Sequence, residues 1–419
     1  MKYTLYTLGM IAITVSICLI ISIPSKPDIK NAKDIYDGTI HCLNLCQSSD
    51  NDLEFLLQEL QGKDIVVLGE ALHYDGSTFL IKIELVKFLH EQLGFNTILF
   101  ESGEFDMYNL QQQLETNPAK IHPESAIWSF WSETIQINKL WDYICETWHN
   151  NFRNLAPLSV GGIDCQYSGN IADSLRFSYI KDMCDNKHIN MEDICPTFTD
   201  IMPDLTRYTL DRTCFQNKIR REELEVLNQE LYVLSKLLGQ DDEQVYRYID
   251  NIRNMLLYTW HYPEGHSLRT IWRDSLMTDN FIQYKNTHPN EKIIVWTSNM
   301  HASKTGALNY KDPDVPIKNL GNRLYSTYGD SLYVMLFHNW AREANNGGIK
   351  SFLKSTSVEH LIHTNILPNT KCRYLFFSEP RRFGRAMFSG IMEGEFICEP
   401  GEMCDALIYE DYTEFIRYE

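Results

Sequence analysis

The stretch "DIVVLGEALHYDGSTFLIKIELVKFLHEQLGFNTILFE" (Asp64–Glu101) decides the fold class. Its first part, Asp64–Gly69, is a short apolar run rich in β-branched residues, as expected of a strand buried on both faces. Leu80, Ile83, Val86, Leu89 and Leu93 then recur at helical spacing, with Ser77 or Thr78 placed to cap the helix and Gly94 to end it. "NTILFES" (Asn96–Ser102) is a second strand. Strand, helix and strand in this order make a right-handed parallel crossover the default.

The same strand signal returns at "LSVGGID" (Leu158–Asp164), "KIIVWTSN" (Lys292–Asn299), "SLYVMLF" (Ser331–Phe337), "RYLFFS" (Arg373–Ser378) and "DALIYE" (Asp405–Glu410). Between about 170 and 290 the chain reads as mainly helical. Leu224, Leu227, Leu231, Leu234 and Leu238 form one apolar stripe, and "IWRDSLMTDNFIQY" (Ile271–Tyr284) carries another. That is more helix than one crossover needs. The expected fold is therefore α/β: a central, mostly parallel sheet flanked by helices, with an inserted helical layer, over residues 51–419.

The 419 residues, 44% of them apolar and 22% charged, suit a folded protein with ample core. A net charge of −18, with no basic run, argues against a nucleic-acid partner. Ahead of the domain, residues 26–50 read as a polar spacer. "YTLYTLGMIAITVSICLIISIP" (Tyr3–Pro24) is nearly uncharged and, within residues 1–25, reads as a signal peptide or membrane anchor. It would give the protein a membrane partner and an exported location, periplasmic or on the outer face of the membrane. Ten cysteines remain beside Cys18, an even number compatible with pairing there. Cys42/Cys46, Cys184/Cys195 and Cys398/Cys404 are candidates by proximity; scattered reduced cysteines are the alternative.

Four expected strands end in polar or ionisable residues: Glu70 and His73, then Glu101, then Asp164, then Asn299 and His301. In an open parallel sheet, ligands bind outside the carboxyl ends of the strands. Each residue alone is more simply a helix cap or a hydrogen-bonded core group; four such endings in one sheet point to a shared crevice. A neutral imidazole can take a proton from water while a carboxylate orients the ring. The same set can also hold a divalent metal and acidify a bound water. No G-x-S-x-G turn occurs, since "FSGIM" (Phe388–Met392) lacks the first glycine, and phosphate- or dinucleotide-binding glycine loops are absent.

"LGEALH" (Leu68–His73) followed by "FLIKIELVKFLHEQLGFNTILFE" (Phe79–Glu101) resembles the signature of the erythromycin esterase-like family. That signature is a G-E-x-x-H loop, a helix with a basic residue, then G-F and a strand ending in F-E. Further fragments agree in order: "FWSETIQINKLWDYI" (Phe130–Ile144), "VGGIDCQ" (Val160–Gln166), "WRDSLMTDN" (Trp272–Asn280), "VWTSNMHASK" (Val295–Lys304), "YGDSLYVMLF" (Tyr328–Phe337) and "CDALIYED" (Cys404–Asp411). The resemblance implies metal-independent ester hydrolysis, with no cofactor and no metal site. His73 would be the general base, with Glu70 and Glu101 orienting and polarising and His301 lining the same cleft. Lys82, Asp164, Arg273, Ser298 and Asn299 would support substrate binding; Arg273 and Asp274 pairing with each other is the alternative. The substrate expected is a small molecule or an acylated glycan. Two positions depart from the family pattern: Lys82 replaces its usual arginine, and Ser298 stands where the first histidine of A-H-N-x-H would be. Besides a hydrolase of this kind, the residues admit a metal-dependent hydrolase or a binding protein on a degenerate hydrolase scaffold.

Overall fold

A computed structural model describes residues 35–44, 50–149, 152–171, 173–239, 243–305, 318–343, 349–350, 357–370, 372–384, 386–388, 396–413 and 417. In chain order the strands are β1 (Ile40–Leu43), β2 (Ile65–Leu68), β3 (Thr97–Gly103), β4 (Ser159–Asp164), β5 (Ile293–Trp296), β6 (Leu332–Glu343), β7 (Ile349–Lys350), β8 (Tyr374–Phe377), β9 (Ala386–Phe388), β10 (Phe396–Cys398) and β11 (Ala406–Thr413). Nine of them form one sheet, ordered β1-β8-β11-β6-β2-β5-β3-β4, with β7 beside β6; β9 and β10 pair separately. From β11 across to β4 every neighbouring pair on this path is parallel, and β8 is antiparallel to both its neighbours. The expected α/β class holds, with a mixed, mostly parallel sheet.

The longer helices are α1 (Gly76–Leu93), α2 (Glu104–Thr116), α3 (Ile135–Thr147), α4 (Asp173–Asn186), α5 (Arg221–Leu238), α6 (Glu243–His261), α7 (Ser267–Thr287) and α8 (Leu320–Tyr328). Because strand side chains alternate, β2 feeds two cores at once. Val66 and Leu68 join Ile98, Phe100 and Trp296 in a core with α1 and α3, while Ile65 and Val67 join Leu99 and Val295 in one with α7 and α8. Each such fully buried side chain is worth about 1.5–3 kcal/mol relative to exposure, so the centre of the sheet is held rigidly beneath whatever its ends carry. The helical layer has its own core, where Leu224, Leu227, Leu231, Leu234 and Leu238 meet Phe215 and Ile249. That insert ends before α7, which packs on β4 and α8 as part of the sandwich.

Several local expectations are corrected. β5, not β3, is the neighbour of β2, because the chain returns after the insert to lie between the first two strands. The cap of α1 is Asp75, whose side chain accepts from Thr78 N; Gly94 ends the helix with φ 72° as expected. Ile40–Leu43, within the stretch read as a spacer, is a sheet strand paired with β8. It is also tied by a disulfide between Cys42 and Cys372, 330 residues apart. Cys184, Cys195, Cys398 and Cys404 are free, which removes both pairs proposed for them; Cys46 lies outside the described residues. So does the apolar segment 3–24, and no helix among the described residues is long and apolar enough to cross a membrane.

Candidate functional site

The carboxyl ends of β2, β5, β3 and β4 lie side by side, next to the point where the chain order reverses around β2 and β5. The path of β2 continues alongside that of β5, since Thr297 N donates to Leu68 O and Asn299 N to Glu70 O. β3 has a register irregularity between Phe100 and Gly103, and Glu101 sits within it. Such irregularities re-aim side chains near the rim of a sheet.

Two linked networks fill this rim. In the first, His73 Nδ1 donates to Glu70 Oε1 at 2.8 Å, Lys82 Nζ donates to Glu70 Oε2 at 2.8 Å, and Trp131 Nε1 donates to Oε1 at 3.2 Å. Glu70 and Lys82 are completely buried, whereas the His73 side chain is 34% exposed. Its ring lies against Phe130, 4.8 Å between centroids at 26°, and meets Trp131 edge-on. Lys82 stands 3.9 Å from the centre of the Trp296 ring, and burial pushes its pKa down to about 8 against the pull of Glu70. One carboxylate oxygen and one ring need only a point charge, which lysine supplies.

In the second network, Arg273 is the centre. Its Nε and Nη2 donate to Asp164, at 3.0 and 2.5 Å, and Nη2 also reaches Glu101 Oε1 at 2.8 Å. The other Glu101 oxygen accepts from Thr297 Oγ1 (2.6 Å) and Ser298 N (3.0 Å). His301 Nδ1 donates to Asp274 Oδ1 at 2.7 Å, and Nε2 lies 3.3 Å from Glu101 Oε1. Burial opposes charging this ring, but Asp274 and Glu101 outweigh it and raise its pKa to about 10. Arg273 Nη1 is also 3.3 Å from Nε2, a contact a neutral ring would accept; with two carboxylates in contact, the imidazolium is the form that fits. Burial alone would raise the Glu101 carboxyl, yet the charges of His301 and Arg273 hold it well below the usual range.

The two histidines are thus unlike. His301 is 1% exposed and charged, while His73 presents a third of its surface. Burial disfavours the charged form of His73, and the Glu70 hydrogen bond and the fields of Glu101 and Glu70 more than offset it, so its pKa is raised. Arg273, 18% exposed, is the cation of the second network with surface to offer a ligand.

The structure therefore gathers Glu70, His73, Glu101, Asp164, Arg273, Ser298 and His301 at one rim. Lys82 and Asn299 are placed behind it, fully buried. Asn299 spans to β6, donating to Phe337 O at 2.6 Å and accepting from Phe337 N. That close approach explains Gly69: a Cβ there would lie 2.2 Å from Asn299 Oδ1. Gly69→Ala is expected to cost about 1–3 kcal/mol in denaturant unfolding by forcing that amide off β6. The hydroxyl of Ser298 is buried without a hydrogen-bond partner among the described residues. Asp274 does not pair with Arg273. Adjacent helix residues face different directions, so within the second network Arg273 binds Asp164 and Glu101 while Asp274 binds His301. Trp131 and Thr297, which hold the two glutamates, went unrecognised as site residues; a tryptophan and a threonine carry no signal of that role before the sheet is assembled.

Every carboxylate here already holds one or two cations, which leaves no unengaged cage for a divalent ion. Among the described residues no group of three or more His, Cys, Asp or Glu side chains is arranged to bind one.

Comparison with known proteins agrees with this fold. The profile of the erythromycin esterase family matches residues 90–338. YbfO of Bacillus subtilis (strain 168), whose name describes it as a hydrolase, is 25% identical over 293 residues, 64% of this chain and 63% of its own length. The match thus spans less than two thirds of that relative. Three solved structures share the fold. A Bacillus cereus protein has TM-score 0.71 at 21% identity, covering 93% of this chain and 98% of its own. A succinoglycan biosynthesis protein has TM-score 0.70 at 15% identity, covering 92% and 97%. A mutant of the erythromycin esterase EreC in its open conformation has TM-score 0.62 at 16% identity, covering 90% and 98%.

Proposed function

The chain belongs to the erythromycin esterase family, and from that premise we propose that it is a hydrolase cleaving an ester bond with water activated by His73. The observation that carries this reading is the asymmetry of the two imidazoles. His73 is partly exposed and its Nδ1–H is engaged by a buried carboxylate, which leaves Nε2 as the ring nitrogen free to act on water. A glutamate fixed from behind by Lys82 and Trp131 sets the ring's tautomer and stabilises its protonated form. His301 is committed as a cation and serves to hold Glu101 and Asp274.

In the proposed reaction His73 Nε2 removes a proton from water as its oxygen bonds to the ester carbonyl carbon. The negative charge that develops on the carbonyl oxygen faces Arg273. Collapse of this intermediate breaks the bond to the alcohol oxygen, which takes the proton back from His73. The partly exposed ring of Phe130, stacked on His73, gives the acyl or alcohol portion an apolar wall. A small-molecule ester or an acylated glycan fits this chemistry, since it asks only for a carbonyl within reach of His73. The Cys42–Cys372 disulfide supports an exported location, where segment 3–24 would act as signal or membrane anchor.

An activity screen of the whole protein against lactones, acyl esters and acylated glycans tests the reading, followed by a pH profile on the best substrate. The base form of His73 is required, and its pKa is raised, so kcat/KM should climb with pH through a limb centred above about 6.5, the ordinary histidine value. Glu70→Gln, which removes one cause of the shift, should move that limb to lower pH. A rate that falls between pH 6 and 8, or a limb unmoved by Glu70→Gln, contradicts the assignment. Chelation should leave the rate unchanged.

A further inference from the structure

A cavity of about 620 Å³ opens over the edge strand β4, between α2 and the C-terminal half of α7. It is separate from the rim just described. None of Glu70, His73, Glu101, Arg273 or His301 lines it, and its first residue on α7, Asn280, lies two turns, about 10 Å, beyond Arg273. Its volume falls within the range of about 300–1,000 Å³ typical of small-ligand sites.

The lining is chemically selective. It holds three carboxylates, Glu104, Glu115 and Glu291, and no lysine or arginine. A phosphate or uronate would face these carboxylates with no lysine or arginine to hold it. Side-chain amides line it as well, and one is decisive. Gln283 is only 9% exposed, and its side-chain amide makes no hydrogen bond among the described residues, although its main-chain carbonyl accepts from Thr287 Oγ1. A buried amide left unsatisfied costs about 1–3 kcal/mol, so an apolar ligand is poorly matched. The hydroxyl of Tyr108 likewise has no hydrogen-bond partner among the described residues.

The rings of the cavity, by contrast, are pinned. Trp148 Nε1 donates to Leu158 O at 3.0 Å, Tyr284 Oη donates to Glu291 at 3.0 Å, and Tyr284 stacks on His288 with centroids 4.2 Å apart. Rings held in this way lose little freedom when a ligand arrives. Gln111 and Gln112 donate to Glu115, Tyr284 and Thr97 to Glu291, and Asn251 to Glu104, so what remains to be satisfied beside the fixed rings is the Gln283 amide and the Tyr108 hydroxyl. Hydroxyls, which donate and accept at once, satisfy both kinds, while the C–H faces of a sugar ring suit the aromatic ones.

We propose that this cavity binds a short neutral saccharide, on grounds independent of the chemistry at His73. Isothermal titration of the full-length protein with cellopentaose, maltopentaose and a β-1,4-linked galactopentaose tests it, with a glucosamine pentamer and a galacturonate pentamer as charged probes. At least one neutral probe should bind in the millimolar range or tighter. Tyr108→Ala and Gln283→Leu should each weaken it about tenfold or more, and His73→Ala should leave it unchanged. If Gln283→Leu does not fold, Gln112→Ala on the exposed side of α2 replaces it with the same expected loss. No binding of any neutral probe, binding of a charged probe alone, or binding that survives both substitutions overturns the proposal.

Discussion

His73→Ala is expected to lower turnover by about 10²–10⁴-fold, the usual contribution of a positioned general base, while the protein stays folded. The separation of the two effects follows from where the residue sits. Among the described residues its hydrogen bond is to Glu70, and that carboxylate retains Lys82 and Trp131 when the ring is removed. No buried charge is left alone, so the large penalty of an unpaired ion does not arise. What is lost is the contact with Phe130 and Trp131, about 0.5–1.5 kcal/mol. Unfolding curves should nearly superimpose on those of the parent, and added imidazole should restore part of the rate by occupying the space above Glu70. Full activity in this variant would end the mechanism. A variant that lost activity and stability together would show instead that the ring is chiefly structural.

The features legible in the sequence were those with a local physical cause. β2, β3 and β5 are apolar runs because both faces are covered, and Gly94 announces the end of α1 because it adopts the left-handed conformation. The strand-end constellation was legible for a related reason: ionisable residues placed directly after such runs are costly unless they have a use. Pairings between distant segments were not legible. β5 enters between β2 and β3 only after a long helical insert, and Cys42 finds its partner across 330 residues. β1, "IHCL", mixes polar and apolar residues and gains its strand identity from β8. Nor did residue type tell which ionisable groups face water. Lys82 and Arg273 read alike as ligand-binding cations, yet one is sealed beneath Glu70 and the other keeps 18% of its side chain exposed. Ser298 departs from the family pattern without emptying the site, because its main-chain N–H still holds Glu101.

Arg273→Ala should be the most destabilising single substitution at the rim, at about 3–5 kcal/mol, and should abolish turnover as well. Arg273 lies between two buried carboxylates and binds both through Nη2, adding Nε to Asp164. Without it Asp164 loses its only ion-pair partner among the described residues, and Glu101 keeps only His301. Arg273→Lys separates charge from shape. An ammonium can neutralise one carboxylate, but it cannot direct parallel N–H groups at Asp164 while reaching Glu101. The lysine variant should therefore recover much of the stability, as read from urea midpoints, and little of the kcat. If lysine restored both, Arg273 would be acting as a point charge, and the stabilisation of a developing oxyanion by its outward-facing guanidinium would have to be given up. If it restored neither, the forked contact with Asp164 would be what positions Glu101 beside His301, and Asp164, Glu101 and His301 would stand or fall together.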